Sequence, residues 1–227
     1  ASADTGATEE FNKSANVITA AAWAAGGSIS TVRTNVGSTS EGSQTAAMVW
    51  GGRTGPPPSG PYTSNKSDTY DGSSFSTAPN LNTAARTRAG GGTTSAAWCA
   101  GGTQPAYINA TEEFDGSSWT SVTSMPTATR GQMGAGTQTA AFACGGAIAP
   151  SASPPGASVD TTYEYDGTNC TSGGDMGHGR NDGQGCGTLT AGLAVGGRAN
   201  LPPYPATPAS DTVEEYNGTS WTEVGDL

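Results

Sequence analysis

The chain has 227 residues and 35 glycines, a formal net charge of −10, and only 12% charged residues, about half the usual share. A net acidic balance argues against nucleic acid as the main partner, because phosphate binding needs a net basic face. No membrane span, secretory-signal or lipidation pattern is present, and no run of helical apolar spacing lasts three turns. An all-β chain is what remains.

Taken in order, the chain repeats one phrase. It reads Thr8-Glu9-Glu10-Phe11-Asn12 near the start, then Ser67-Asp68-Thr69-Tyr70-Asp71-Gly72-Ser73-Ser74-Phe75. Three further copies follow: Thr111-Glu112-Glu113-Phe114-Asp115-Gly116-Ser117-Ser118-Trp119, Thr162-Tyr163-Glu164-Tyr165-Asp166-Gly167-Thr168-Asn169-Cys170, and Val213-Glu214-Glu215-Tyr216-Asn217-Gly218-Thr219-Ser220-Trp221. Each full copy alternates up to an aromatic, turns at Asp-Gly or Asn-Gly, and climbs to a second large residue. This predicts a strand, a tight primed turn with Asp71-Gly72, Asp115-Gly116, Asp166-Gly167 or Asn217-Gly218 at its centre, and a returning strand. The large residues after the turns, with Trp23 as the first of the series, are expected to pack between repeats; Cys170 in that series predicts a looser contact.

Between the phrases runs a second one: an arginine, a Gly/Thr-rich strand, a short apolar strand and a Gly-Gly pair. Its copies run from Arg33 to Gly51-Gly52, Arg86 to Gly101-Gly102, Arg130 to Gly145-Gly146 and Arg180 to Gly196-Gly197. In the third copy the strands are placed at 134–137 and 139–144. Such a period, with four short strands per unit, predicts a propeller of antiparallel four-stranded sheets. The repeats fall at about 1–23 (partial), 24–75, 76–119, 120–170 and 171–227, in a single domain.

The order of Gly-Gly, an aromatic after a Thr/Glu patch, and a Trp after the next turn resembles the kelch repeat of the kelch and galactose-oxidase propellers, over nearly the whole chain. The Ala/Gly/Thr-rich dialect, as in Gly136-Thr137-Gln138-Thr139-Ala140-Ala141, resembles repeats in virion and tail proteins of marine bacteriophages. Five outer hairpins are counted against four inner ones. The expectation is therefore that more protein lies beyond one or both ends, as part of a larger chain, or that another copy closes the ring.

Strand direction alone places the connections before each first strand and after each second strand on one side of the sheets. That side collects Arg33, Arg53, Arg86, Arg130, Arg180 and Arg198, and proline-stiffened loops bearing Tyr62, Tyr107 and Tyr204. These nine residues are the candidate binding set. Against it stands a plainer reading, in which the arginines brace turns by bonding backbone carbonyls.

Enzyme chemistry finds little support. The single histidine, His178, does not supply the ligands a copper site of the galactose-oxidase kind needs, and adjacent Asp115-Gly116 departs from the sialidase Asp-box. Glu112-Glu113 alternate across a strand and are expected on a charged outer strand that discourages edge pairing. Cys99, Cys144, Cys170 and Cys186 have no metal spacing and are expected as buried thiols. No cofactor or metal is expected, and sequons at Asn12, Asn65, Asn109, Asn169 and Asn217 are attributed to composition. The resulting expectation is a non-enzymatic structural and interaction module of a phage virion (tail, fibre or capsid decoration). Its partners would be other virion or surface proteins or glycans, with no nucleic acid. The alternative is a carbohydrate-binding adhesin on a bacterial cell surface.

Overall fold

The computed structural model describes residues 27–55, 63–148, 157–199 and 209–227. They form twenty strands and no helix. Sheet 1 is built from β1 (Gly37–Ser38), β2 (Ala47–Trp50), β3 (Ser67–Tyr70) and β4 (Phe75–Ala78), in that spatial order. Sheet 2 follows with β5 (Ala89–Gly92) and β6 (Ala97–Ala100); a short ribbon of β7 (Thr103–Gln104) and β8 (Ala106–Tyr107) precedes β9 (Thr111–Phe114) and β10 (Trp119–Val122). In sheet 3, β11 (Thr129–Arg130) and β14 (Ala147–Ile148) form a flanking pair. Its four main strands are β12 (Met133–Thr137), β13 (Ala140–Cys144), β15 (Thr162–Tyr165) and β16 (Cys170–Ser172). Sheet 4 comprises β17 (Gln184–Thr188), β18 (Ala191–Val195), β19 (Val213–Tyr216) and β20 (Trp221–Glu223). All pairings within the four sheets are antiparallel.

The first strands of the sheets neighbour one another: β5 touches β1, and β12 lies between β5 and β17. Strand alternation does the rest. On each second strand one face carries the largest side chain (Trp50, Trp98, Phe142 or Leu193) and the other face carries smaller ones. Met48 and Trp50 of sheet 1 meet Ala97, Cys99, Phe114 and Trp119 of sheet 2. Trp98 and Ala100 meet Ala141, Ala143 and Tyr165 of sheet 3, and Phe142 and Cys144 meet Ala194 and Trp221 of sheet 4. Among the described residues there are thus three cores, one per junction, and no core inside a sheet.

The returning-strand tryptophans lie at these junctions. Trp119 sits edge-on to Trp50 with ring centroids 5.5 Å apart. Trp221 donates to the Thr162 hydroxyl at 2.9 Å and packs edge-on to Phe142. Cys170 is only half-buried at the same place, and Trp23 lies outside the described residues. A second contact spans the same junctions: Tyr165 donates to Glu113 at 2.7 Å, and Tyr216 donates to Glu164. Burial, then the Glu164 carboxylate, pushes the Tyr216 phenol up to about 12, so it remains a donor. Between sheets 1 and 2 the corresponding residues are Thr69 and Phe114, so the hydroxyl and the carboxylate are replaced together.

The Gly-Gly pairs have a steric reason. Both glycines of all four pairs have positive φ. The second donates its N–H to the lead-in of the next sheet, Gly52 to Ala85, Gly102 to Thr129 and Gly146 to Arg180, each at 2.8 Å. A Cβ on Gly101 would sit 2.5 Å from the Thr129 carbonyl oxygen, so a side chain is barred by space as well as by backbone angle.

The turns after the third strands correct the sequence expectation. Tyr70 pairs with Phe75, Phe114 with Trp119, Tyr165 with Cys170 and Tyr216 with Trp221, so each loop has four residues instead of two. Only the glycine of each Asp-Gly or Asn-Gly is left-handed. The side chain before it makes the turn: Asp115 Oδ1 accepts the N–H groups of Ser117 and Ser118, both at 2.7 Å. Asp71, Asp166 and Asn217 do the same, as Asx side chains do when they substitute for a backbone acceptor.

These bonds hold the Asp115 carboxyl at about 2, chiefly through the Ser117 hydroxyl and the two amides. A depressed folded-state pKa stabilises above the unfolded value near 4, and that contribution fades as pH falls toward 2. A carboxyl-carbon NMR titration is expected to give a midpoint near 2 for Asp115. Asp115→Asn should keep the turn, as Asn217 does, and remove this acid dependence. A midpoint near 4 would count against the bonded turn.

Candidate functional site

Aligning the repeats on their left-handed lead-in residues, Asn35, Thr87, Gly131 and Asp182, separates the arginines into distinct positions. Arg33 and Arg180 share one position and Arg86 and Arg130 the next. Arg88 lies one residue beyond the left-handed position.

Arg33, Arg88 and Arg180 are buried. Arg33 pairs with Asp68 and bonds the Gly51 carbonyl at 2.8 Å. Arg88 pairs with Glu112 at 2.8 Å and bonds the carbonyls of Thr83 and Ala110. Arg180 pairs with Glu214 and bonds the Ala194 carbonyl. In sheet 3 the acidic position is Tyr163 and the Arg33/Arg180 position is Thr129, so both partners are absent together. For these arginines the bracing reading describes the geometry. Glu112 is likewise not on an outer strand, as the sequence suggested. It lies on the third strand, fully buried, because a carboxylate is needed there to neutralise Arg88.

The remaining four arginines form a separate series. In each sheet the residue just before the left-handed one forms an antiparallel bridge with the segment after the Gly-Gly: Thr34 with Arg53, Arg86 with Thr103, Arg130 with Ala147, and Asn181 with Arg198. Every bridge carries one arginine, on either the first or the second side, and each is half-buried or exposed. The sequence hid this regularity because the arginine changes sides.

Arg86 and Arg130 line a pocket of about 180 Å³ with Asn35, Thr87, Thr103 and Asp182. Arg130 is fixed by the Tyr107 hydroxyl at 3.0 Å, lies over the Tyr107 ring and reaches Asp182 at 3.4 Å. The buried Thr103 hydroxyl has no partner among the described residues. Beside this pocket, between the first strands, is a larger cavity of about 880 Å³ lined by Val36, Arg88, Gln132, Asp182, Arg198 and neighbours. The structure thus brings together Arg86, Arg130 and Tyr107 of the nine candidates, and places Arg53 and Arg198 at equivalent bridges. Tyr62 and Tyr204 lie outside the described residues. Thr103, Asp182 and Asn35 were missed, since nothing in their type or spacing marks them before the bridges are known.

Chemically the pocket offers two guanidinium groups, an amide and one carboxylate, which suits a ligand with anionic and hydroxyl groups. Among the described residues no cluster of three His, Cys, Asp or Glu is placed to hold a metal. His178 is exposed, 3.8 Å from Glu223. All four cysteines are unpaired: Cys99 and Cys144 are buried, Cys170 is half-buried, and Cys186 is exposed, against the expectation that it is buried. Burial pushes the Cys99 thiol up to about 12. No helix among the described residues is long and apolar enough to cross a membrane. No protein-family model and no curated protein matches the chain.

Proposed function

We propose that the four sheets are blades of a kelch-like β-propeller that serves as an interaction module, with the arginine-bearing bridges as its contact face. The observation carrying this reading is the recurrence of one accessible arginine at the same bridge of every sheet. Two of them, Arg86 and Arg130, line one pocket, where the Tyr107 hydroxyl holds Arg130 in place. Beneath that face, Asp68, Glu112 and Glu214 are engaged by buried arginines, so their carboxylates serve the framework. The contact partner is a surface protein or glycan with acidic groups. The Ala/Gly/Thr-rich repeats favour a phage virion as the setting, where affinity from single weak contacts is multiplied by copy number. An adhesin on a bacterial surface would use the same face.

An array of acidic and neutral glycans, with acidic peptides alongside, tests this. Losing one charge-assisted bond is expected to weaken binding roughly ten-fold, so Arg86→Ala and Arg130→Ala should each do so. Binding should also fall with added salt. Binding unchanged in an Arg86→Ala/Arg130→Ala protein that remains folded would refute the pocket as the contact site.

A further inference from the structure

Each of the three junctions between sheets is assembled from the same parts. Large side chains of one second strand meet small ones of the next. The second glycine of the Gly-Gly pair donates to a carbonyl on the next lead-in, at Ala85, Thr129 or Arg180. Two residues further along that lead-in, an N–H donates back to the left-handed residue of the preceding sheet: Thr87 to Asn35 at 3.1 Å, Gly131 to Thr87 at 3.0 Å, and Asp182 to Gly131 at 2.8 Å. A connector residue, Leu81, Met125 or Met176, is buried beneath, 2–3% exposed.

The far side of sheet 4 presents these parts without their counterparts among the described residues. Leu193 and Val195 occupy the large-residue positions but are only half-buried. The Gly197 N–H and the Asp182 carbonyl have no partner among the described residues. Leu227 makes the connector's backbone bond, its N–H to the Asp211 carbonyl at 3.0 Å, as Leu81 does to Asn65 at 2.8 Å. Yet Leu227 is 78% exposed.

We infer that this side of sheet 4 is a docking face for a two-stranded antiparallel hairpin of the repeat's own chemistry. The hairpin turns alanine, glycine or cysteine toward Leu193 and Val195. Its lead-in supplies a carbonyl to Gly197 and, two residues on, an N–H to the Asp182 carbonyl. Larger side chains do not suit it, because the opposing second-strand faces are Ala97 and Cys99, Ala141 and Ala143, and Gly192 and Ala194. The inference rests on the junctions alone and is independent of what the arginines bind.

The test appends a second copy of residues 82–119 directly after Leu227, which is in phase because Leu227 stands where Leu81 does. In the full chain so extended, exchange of the Gly197 amide is expected to slow on the order of ten-fold or more, and Leu193→Asp should abolish that protection. A synthetic peptide of residues 82–102, added to the unextended protein, should shift the Gly197 and Leu227 amide resonances. Gly197 exchange unchanged in the extended chain, together with no shift from the peptide, overturns the inference. Protection of Gly197 that rises with protein concentration in the unextended chain assigns the face to a second copy and overturns the hairpin as its occupant.

Discussion

Replacing Glu214 by alanine is expected to destabilise the fold by about 3–5 kcal/mol, the range for removing one partner of a buried ion pair. The Arg180 side chain is fully inaccessible and that of Glu214 is 2% exposed, so the remaining guanidinium could not recover its hydration. The Gly177 N–H, which donates to Glu214 at 2.6 Å, would lose its acceptor as well. Against a typical total stability of about 5–15 kcal/mol, this is a large fraction. Arg180→Met with Glu214→Leu should lose far less, because removing both charges avoids the unpaired one. Sheet 3, with Thr129 and Tyr163 at these positions, shows that the repeat can be built without the pair. Urea denaturation midpoints with unchanged slope would measure both effects. Equal losses in the single and double variants would show that packing, and not charge pairing, dominates there.

The second large effect is expected at Gly101. An alanine there meets two obstacles: a left-handed backbone at φ +64 and a Thr129 carbonyl oxygen only 2.5 Å from the new Cβ. The first costs about 1–2 kcal/mol; the second forces sheets 2 and 3 apart where Gly102 must still donate to that same carbonyl. Gly116→Ala provides the control, since its φ is also positive but the nearest atom to its Cβ would be 3.5 Å away. Gly101→Ala should therefore be more destabilising than Gly116→Ala by at least about 1–2 kcal/mol, the usual cost of overpacking. Equal melting shifts would mean that backbone angle alone explains the conserved spacing of glycine within the repeat.

The sheets were legible in the sequence because the repeated phrase fixes strand, turn and return at each copy. The third-copy strands expected at 134–137 and 139–144 appear as Met133–Thr137 and Ala140–Cys144. What period could not show was which neighbour each side chain meets. Glu112 looked like a surface charge because its partner, Arg88, lies in another segment and is itself disguised among more exposed arginines. The turn at Asp115-Gly116 was mistaken for a two-residue hairpin because a side-chain acceptor can stand in for a backbone one, and composition is the same in both cases. The arginine series was legible only as residue type. Its division into buried braces and accessible bridge residues depends on a one-residue offset that becomes visible once Asn35, Thr87, Gly131 and Asp182 are aligned by conformation.

The alternation of large and small faces on each second strand bears on how such similar repeats avoid confusion during folding. Two large faces brought together would overlap, and two small ones would leave a void, so neighbouring sheets gain full contact in only one order and one orientation. Intermediates in which a sheet packs backwards, or pairs with its own likeness, are therefore penalised by shape before any specific bond forms. In a chain of similar repeats, where misassembly between repeats is a common failure, the direction of the chain is written into the volume of its side chains.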